Sequence, residues 1–189
     1  HGRERTIRRP HDAIAAGLAL VPEDRRVQGL VLAHSVRDNV LLPVLGTFTR
    51  RGMVQDRRGS DLVRRYVERL RIAAPSIQAP ARLLSGGNQQ KVVLAKWLAT
   101  EPDVLIMDEP TAGVDIGAKV EIVEMIRELA DAGNAILLFS SELPELLAVS
   151  DRLLLLRAGR VQRVLARAEI ADDKDLHHML QDTTTPAVA

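Results

Sequence analysis

From Asp103 onward, hydrophobic and polar positions fall into blocks that predict strands alternating with helices. "DVLIM" (103–107) is wholly apolar and too short for a helix, the pattern of a strand buried on both faces of a sheet, and it stops at Asp108 and Glu109. Val120, Val123, Ile126 or Arg127, and Ala130, flanked by Ile122 and Leu129, recur at helical spacing after Asp115, and "DAGN" ends that helix with a glycine. "AILLF" (135–139) predicts a second buried strand, "ELPELLAV" a short helix with Pro144 in its first turn, and "RLLLLR" a third strand. Strand and helix in alternation predict an α/β fold with a parallel sheet. "RAGR" (157–160) turns into "VQRVLA" as an antiparallel edge hairpin, and "AEIADDKDLHHML" reads as helix before a polar end.

The first hundred residues follow another pattern. "PHDAIAAGLALVPEDR" predicts a helix, a brief strand "LALV" and a loop at Pro22 to Arg26; from there to about Pro80 the signals are helical. In "DLVRRYVERLRI" (61–72), Leu62, Val63, Tyr66, Val67 and Leu70 form one stripe with arginines opposite. The basic run "TRRGMVQDRRG" reads as a solvated loop. A helical subdomain inserted before the strands is the expectation.

Composition narrows the function classes. The chain has 189 residues, 46% hydrophobic and 27% charged, ordinary for one soluble globular domain. With 26 basic against 25 acidic residues, one tyrosine and one tryptophan, it offers neither a basic field nor a stacking platform, so no nucleic acid partner is expected. Without cysteine it has no disulfide and no zinc–thiolate site. No apolar run approaches the roughly 18 residues of a membrane span, and a cytosolic placement fits.

Two short motifs carry candidate chemistry. Asp108 and Glu109 end a buried parallel strand, and ligands of open α/β sheets bind outside such ends. An aspartate there suits Mg²⁺, and an adjacent glutamate can polarise a water for in-line attack; taken alone, the pair also fits a solvated strand end. Ser85, Gly86 and Gly87 precede the apolar helix "QKVVLAKWLA". Serine is a good N-cap, so backbone amides and the positive dipole end face outward as an anion site, although a lone SGG also fits a capped helix after a tight turn.

Order and spacing combine these motifs. "LSGGNQQ", one helix, "VLIMDEP" and "TAGVD" ending at Asp115 follow one another closely, and with them the chain resembles the ATP-binding cassette (ABC) ATPases from about Ile7 to its tail. The resemblance implies a RecA-like P-loop NTPase-type parallel sheet with an inserted helical subdomain at roughly 30–100. It also implies a core at 101–165 with the Walker B strand and D-loop, and a helical tail at 166–189. "VPEDRRVQGLVLAHSVRDNVLLP", "LSGGNQQKVVLAKWLA" and "SSELPELL" look like the second cassette of the fused ATPases that drive bacterial uptake of ribose, xylose, galactose or arabinose.

By that resemblance the cofactors are ATP and Mg²⁺. ABC cassettes pair head to tail, so Ser85, Gly86 and Gly87 would touch the terminal phosphate of ATP held by a second cassette, and Gln89 and Asp115 would line the same interface. Asp108 would hold Mg²⁺ and Glu109 would act as general base for this half's own nucleotide. Further implied partners are membrane permease subunits and, indirectly, a periplasmic sugar-binding protein, with the protein on the cytoplasmic face. The permease contact would follow Glu23, with Val36 and Val40 presented on a helix capped by Ser35.

Three features depart from the family pattern. No G-x-x-x-x-G-K-[ST] loop occurs, which implies that the family's phosphate loop lies upstream of His1. Glu23 stands where a magnesium-linked glutamine is expected, and Ser141 where a histidine is expected. An acid near Mg²⁺ alters the charge, and serine cannot span the reach of an imidazole. These departures raise a second reading, a regulatory or structural half with a degenerate site; a third is a soluble ABC ATPase outside transport.

Overall fold

The computed structural model describes residues 4–50 and 53–181, which fall into two compact units, one reaching Phe139 and one starting at Ser140. The first unit opens with α1 (Pro10–Ala15) and β1 (Leu18–Val21). Pro10 begins the helix with its preset φ, and the Arg9 amide donates to the Asp12 carboxylate at 2.9 Å, satisfying an amide the helix leaves open. There follow α2 (Val36–Leu41), the short strands β2 (Thr49–Arg50) and β3 (Met53–Val54), α3 (Asp56–Arg69) and α4 (Gly86–Leu98). Then β4 (Val104–Asp108), α5 (Ile116–Asp131) and β5 (Ala135–Phe139) complete the unit.

β1, β4 and β5 form a three-stranded parallel sheet in the order β1-β4-β5, with Val21 level with Met107 and Asp108 level with Phe139. Pleating turns Ala19, Leu105, Val21 and Met107 to one face, where all four are buried. The opposite face keeps Leu20, Leu137 and Phe139 at 48%, 42% and 41% exposure. β5 is therefore not buried on both faces, as its wholly apolar composition predicts. A uniform apolar run signals that both faces suit an apolar cover, and among the described residues only one face has it.

α4 supplies much of that cover. It packs against β1, α2, α3 and α5, and nearly every residue from Gln89 to Leu98 is buried. α2 is capped as expected, the Ser35 hydroxyl accepting from the Asp38 amide at 3.0 Å. Val36 and Val40, however, are fully buried toward the helices and do not form an outward contact surface. The exposed apolar side chains of this region are Val27, Val31, Leu42 and Leu45. Asn39 fastens the chain before α2, accepting from the Val31 amide at 2.8 Å and donating to the Val31 and Ser35 carbonyls.

Two other expectations shift. The basic run is not wholly a loop: β2 pairs with β3, and α3 has begun by Asp56, whose carboxylate takes the Arg37 guanidinium. On α5 the buried residues are Ile122, Met125, Ile126 and Leu129, spaced i, i+3, i+4, i+7, whereas Val120 is exposed. The real stripe lies about one position from the one drawn through Val120 and Val123.

The second unit holds α6 (Leu143–Val149), β6 (Arg152–Arg157), β7 (Arg160–Ala166) and α7 (Asp173–Gln181). β6 pairs antiparallel with β7 and not with the parallel sheet, which corrects the reading of "RLLLLR" as its third strand. Ala158 and Gly159 both have positive φ, the two-residue turn whose twist suits a hairpin. Leu153, Leu155, Leu165, Ile170 and Leu176 form this unit's apolar core.

Candidate functional site

The start of α4 is built around Ser85. Its backbone is extended, and its hydroxyl oxygen accepts from the Asn88 side-chain amide at 2.9 Å and, at 3.4 Å, from the Asn88 backbone amide. With both contacts accepted, the hydroxyl hydrogen is left to donate elsewhere. The Gln89 amide is taken by the Ser85 carbonyl, so the amides of Gly86 and Gly87 are those the helix leaves at its open end. Asn88 also accepts from the Ala73 amide at 2.7 Å, tying the loop before the helix to the serine. Gln89 is not brought to this surface: it is buried and donates to the Ala81 and Leu84 carbonyls, both at 3.2 Å. Asn88, half-exposed at the third helical position after an N-cap serine, is the side chain beside the open amides.

The second cluster lies at the carboxyl end of β4. Asp108 is exposed, and Glu109 is half-buried in the left-handed backbone region at φ 43°. For a residue other than glycine that conformation costs about 1 kcal/mol or more and persists only where surroundings impose it. Here the Glu109 amide donates to the Phe139 carbonyl at 2.9 Å and its carbonyl accepts from the Ala112 amide at 3.0 Å. Asp115 closes the turn as the N-cap of α5, its carboxylate accepting from the Ala118 amide at 2.9 Å. Because β1 and β4 are parallel neighbours, Glu23, two residues beyond Val21 and exposed, leaves the sheet at the same edge as Asp108 and Glu109. Ser141 belongs to the second unit, exposed just before α6.

One residue that motif spacing does not mark joins the clusters. Arg25 opens a single π-turn, Arg25–Gly29, capped by the Asp24 carboxylate, and its guanidinium donates to the Ala112 carbonyl at 2.7 Å and the Gly113 carbonyl at 2.9 Å. A Cβ at Gly86 would lie 2.8 Å from the Arg25 Nη2 and 3.2 Å from the Gly113 oxygen. The far end of the π-turn is held by the Lys96 ammonium, buried and donating to the Gly29 carbonyl at 3.0 Å. Burial lowers the pKa of both cations from their ordinary values, with Arg26 adding to the effect at Arg25. The carbonyls that anchor them soften the desolvation without supplying a counter-charge, while the Asp24 carboxylate opposes the shift at Arg25.

A family model described as "ABC transporter" matches residues 3–112, more than half of the chain. The chain belongs to the ABC transporter family. Among curated ABC relatives, it is 49% identical over 180 residues to a ribose import ATP-binding protein from Rhodopirellula baltica, covering 95% of this chain and 35% of the relative. It is 49% identical over 164 residues to a ribose import ATP-binding protein from Geobacillus kaustophilus, 87% of this chain and 33% of the relative. The chain thus spans about a third of the length of the curated ABC proteins it matches.

Solved structures agree on the ABC fold. One is a dimeric ATP-binding cassette in a post-hydrolysis state bound to ADP and Pi, with TM-score 0.69, 19% identity, 85% of this chain and 68% of that one. Another is a component of an ABC transporter complex from Clostridium perfringens, with TM-score 0.69, 22% identity, 90% of this chain and 65% of that one. At these identities the likeness speaks for the ABC fold alone. Within it, the chain brings Gly86 beside Gly113 through Arg25, and sets Asp108 and Glu109 on the edge that Glu23 shares.

Proposed function

We propose that this chain is the greater part of one cassette of an ABC ATPase that drives sugar import, with residues 30–100 as the helical subdomain. The observation that supports the reading is the open start of α4: two glycine amides left by the helix and a serine hydroxyl whose hydrogen remains to donate, at the positive end of a helix, would suit a phosphate. Because cassettes of this family pair head to tail, the ligand of this cradle would be ATP held by a second cassette. Ser85, Gly86 and Gly87 would touch the terminal phosphate, with Asn88 holding the serine and Asp115 lining the same interface.

The carboxylates fit a Mg²⁺–nucleotide site of the complementary kind. Among the described residues no group of three or more His, Asp or Glu side chains could hold a metal alone. Asp108 offers one carboxylate, which suits Mg²⁺, an ion commonly bound by one or two carboxylates together with substrate phosphates. When bound, Mg²⁺ would neutralise charge on the transferring phosphate. Glu109 would orient and deprotonate the attacking water, its side chain aimed by the imposed backbone. Glu23 adds a second acid at this edge, and Ser141 is too short for the role of the expected histidine; both support the alternative that this half's own site contributes little turnover.

The names of the relatives support a sugar importer, whose permease would be met on the cytoplasmic face through the exposed Val27, Val31, Leu42 and Leu45. A periplasmic binding protein would deliver the sugar. Among the described residues no helix is long and apolar enough to cross a membrane, in keeping with a peripheral subunit. The test is steady-state ATP turnover of the full-length protein with Gly86→Asp and with Glu109→Gln. Gly86→Asp puts a carboxylate against the phosphate cradle and is expected to abolish most turnover. Glu109→Gln is expected to cost clearly less; equal losses would make this half's own site catalytically competent and remove the degenerate reading. Full turnover in Gly86→Asp would remove the cradle.

A further inference from the structure

We infer that Arg25 is a positioning residue that sets the turn carrying Ala112 and Gly113 against the start of α4, linking the segment after Glu23 to the phosphate cradle. The inference rests on the function proposed above and adds a residue to it. Three stretches of chain meet at one guanidinium. The π-turn contributes the arginine, the turn after β4 contributes two successive carbonyls, and Gly86 contributes the bare backbone that lets both approach.

Geometry explains why arginine is needed. Two neighbouring carbonyls, accepting at 2.7 and 2.9 Å from Nη1 and Nη2, match the planar fork of a guanidinium, and their capture fixes the orientation of two consecutive peptide planes. Those planes lead directly into Asp115, the N-cap of α5. A lysine would deliver the same charge to one point and leave one carbonyl unheld. The arrangement is not the one stability alone favours: the cation is desolvated, and its Nε is buried without a partner. Arg25 acts by holding the backbone that runs from Glu109 to Asp115 against the start of α4.

The other attachment of the π-turn provides a control. Lys96→Met frees the Gly29 carbonyl at the far end of the turn and leaves Arg25 intact. The experiment is millisecond hydrogen exchange on the full-length protein, without nucleotide, for wild type, Arg25→Gln, Arg25→Lys and Lys96→Met, followed by ATP turnover of the same proteins. Both Arg25 variants are expected to speed exchange at Ala112, Val114 and Ala118 on the order of tenfold, as loss of charge-assisted hydrogen bonds implies. β4 should be unaffected, and Lys96→Met should leave these amides at wild-type rates. Turnover should then fall on the order of tenfold in kcat with KM for ATP held within about twofold, the split of a group that positions without binding.

Unchanged exchange in Arg25→Gln, an increase shared by β4, or the same increase in Lys96→Met would overturn the inference. Restoration by Arg25→Lys would overturn it too, since charge and not the fork would then suffice. Exchange is read without ATP, so a wild-type protein that failed to turn over ATP would sink the ATPase proposal while the exchange pattern still decided the role of Arg25.

Discussion

Gly87 has no room for a side chain, and the reason lies inside the chain as well as in any ligand: an added Cβ would fall 2.5 Å from the Cβ of Ala118. Gly87→Ala is therefore expected to cost about 1–3 kcal/mol through overpacking, read from urea unfolding. Adding Ala118→Gly should return most of that loss, less the roughly 1 kcal/mol that glycine costs within a helix. A full cost persisting in the double variant would show that the α4–α5 contact does not set the requirement. At this scale much was readable in advance. Ser35 and Ser85 are N-caps because short oxygen-bearing side chains before helices accept open amides. The inward turn of Gln89 was not readable, because its partners are carbonyls of the preceding loop whose path no periodicity describes. Nor was Arg25, whose acceptors lie 87 and 88 residues away.

Among the elements, α3 docks on the end of α4 through Tyr66, whose hydroxyl donates to the Leu98 carbonyl at 2.8 Å. Tyr66→Phe should lower stability by about 1 kcal/mol at neutral pH, the net worth of such a bond. Burial raises the pKa of this phenol, with Glu101 also raising it and Arg69 and Arg65 opposing. The unfolded chain therefore ionises first. As pH rises through the ordinary phenol value near 10, the folded state keeps its proton longer, and wild-type stability falls relative to the phenylalanine variant. Lys96, whose lowered pKa acts in the opposite direction, is present in both proteins and cancels in the difference. Unfolding curves for the pair between pH 8 and roughly 11 check the sign; a difference independent of pH would remove the hydroxyl from the docking contact. The stripe on α3 was readable from its spacing, whereas that on α5 was not. Leucine, isoleucine and valine on α5 outnumber the places on its buried face, so two adjacent stripes fit the same pattern.

For the chain as a whole, the one-sided sheet has a measurable consequence. Leu20, Leu137 and Phe139 leave an apolar face open, and the isolated 189 residues are expected to self-associate at micromolar concentration in light scattering. Leu137→Lys should reduce that association with little change in unfolding free energy, since the side chain is already exposed. Persistent association with the lysine in place would point to another surface. The same 189 residues, lacking a phosphate loop, should show no micromolar MgATP affinity by calorimetry. The α/β class and the order of elements followed from blocks of apolar residues; which strands share a sheet did not. β6 looks as apolar as β4, yet its partner is the neighbouring β7, because a two-residue turn brings that strand back at once.

The pairing of Leu18 with Val104 also has a meaning in time. A ribosome adding about 5–20 residues per second releases β1 roughly 4–17 seconds before its partner strand exists. During that interval "LALV" lacks the β4 partner it pairs with in the finished sheet, while α2, α3 and α4, which contact one another in the folded chain, emerge in sequence. The helices can therefore assemble first and wait for the strand. Synthesis halted before Val104 would leave β1 without β4 to pair with, although α4, which packs against it, is already complete.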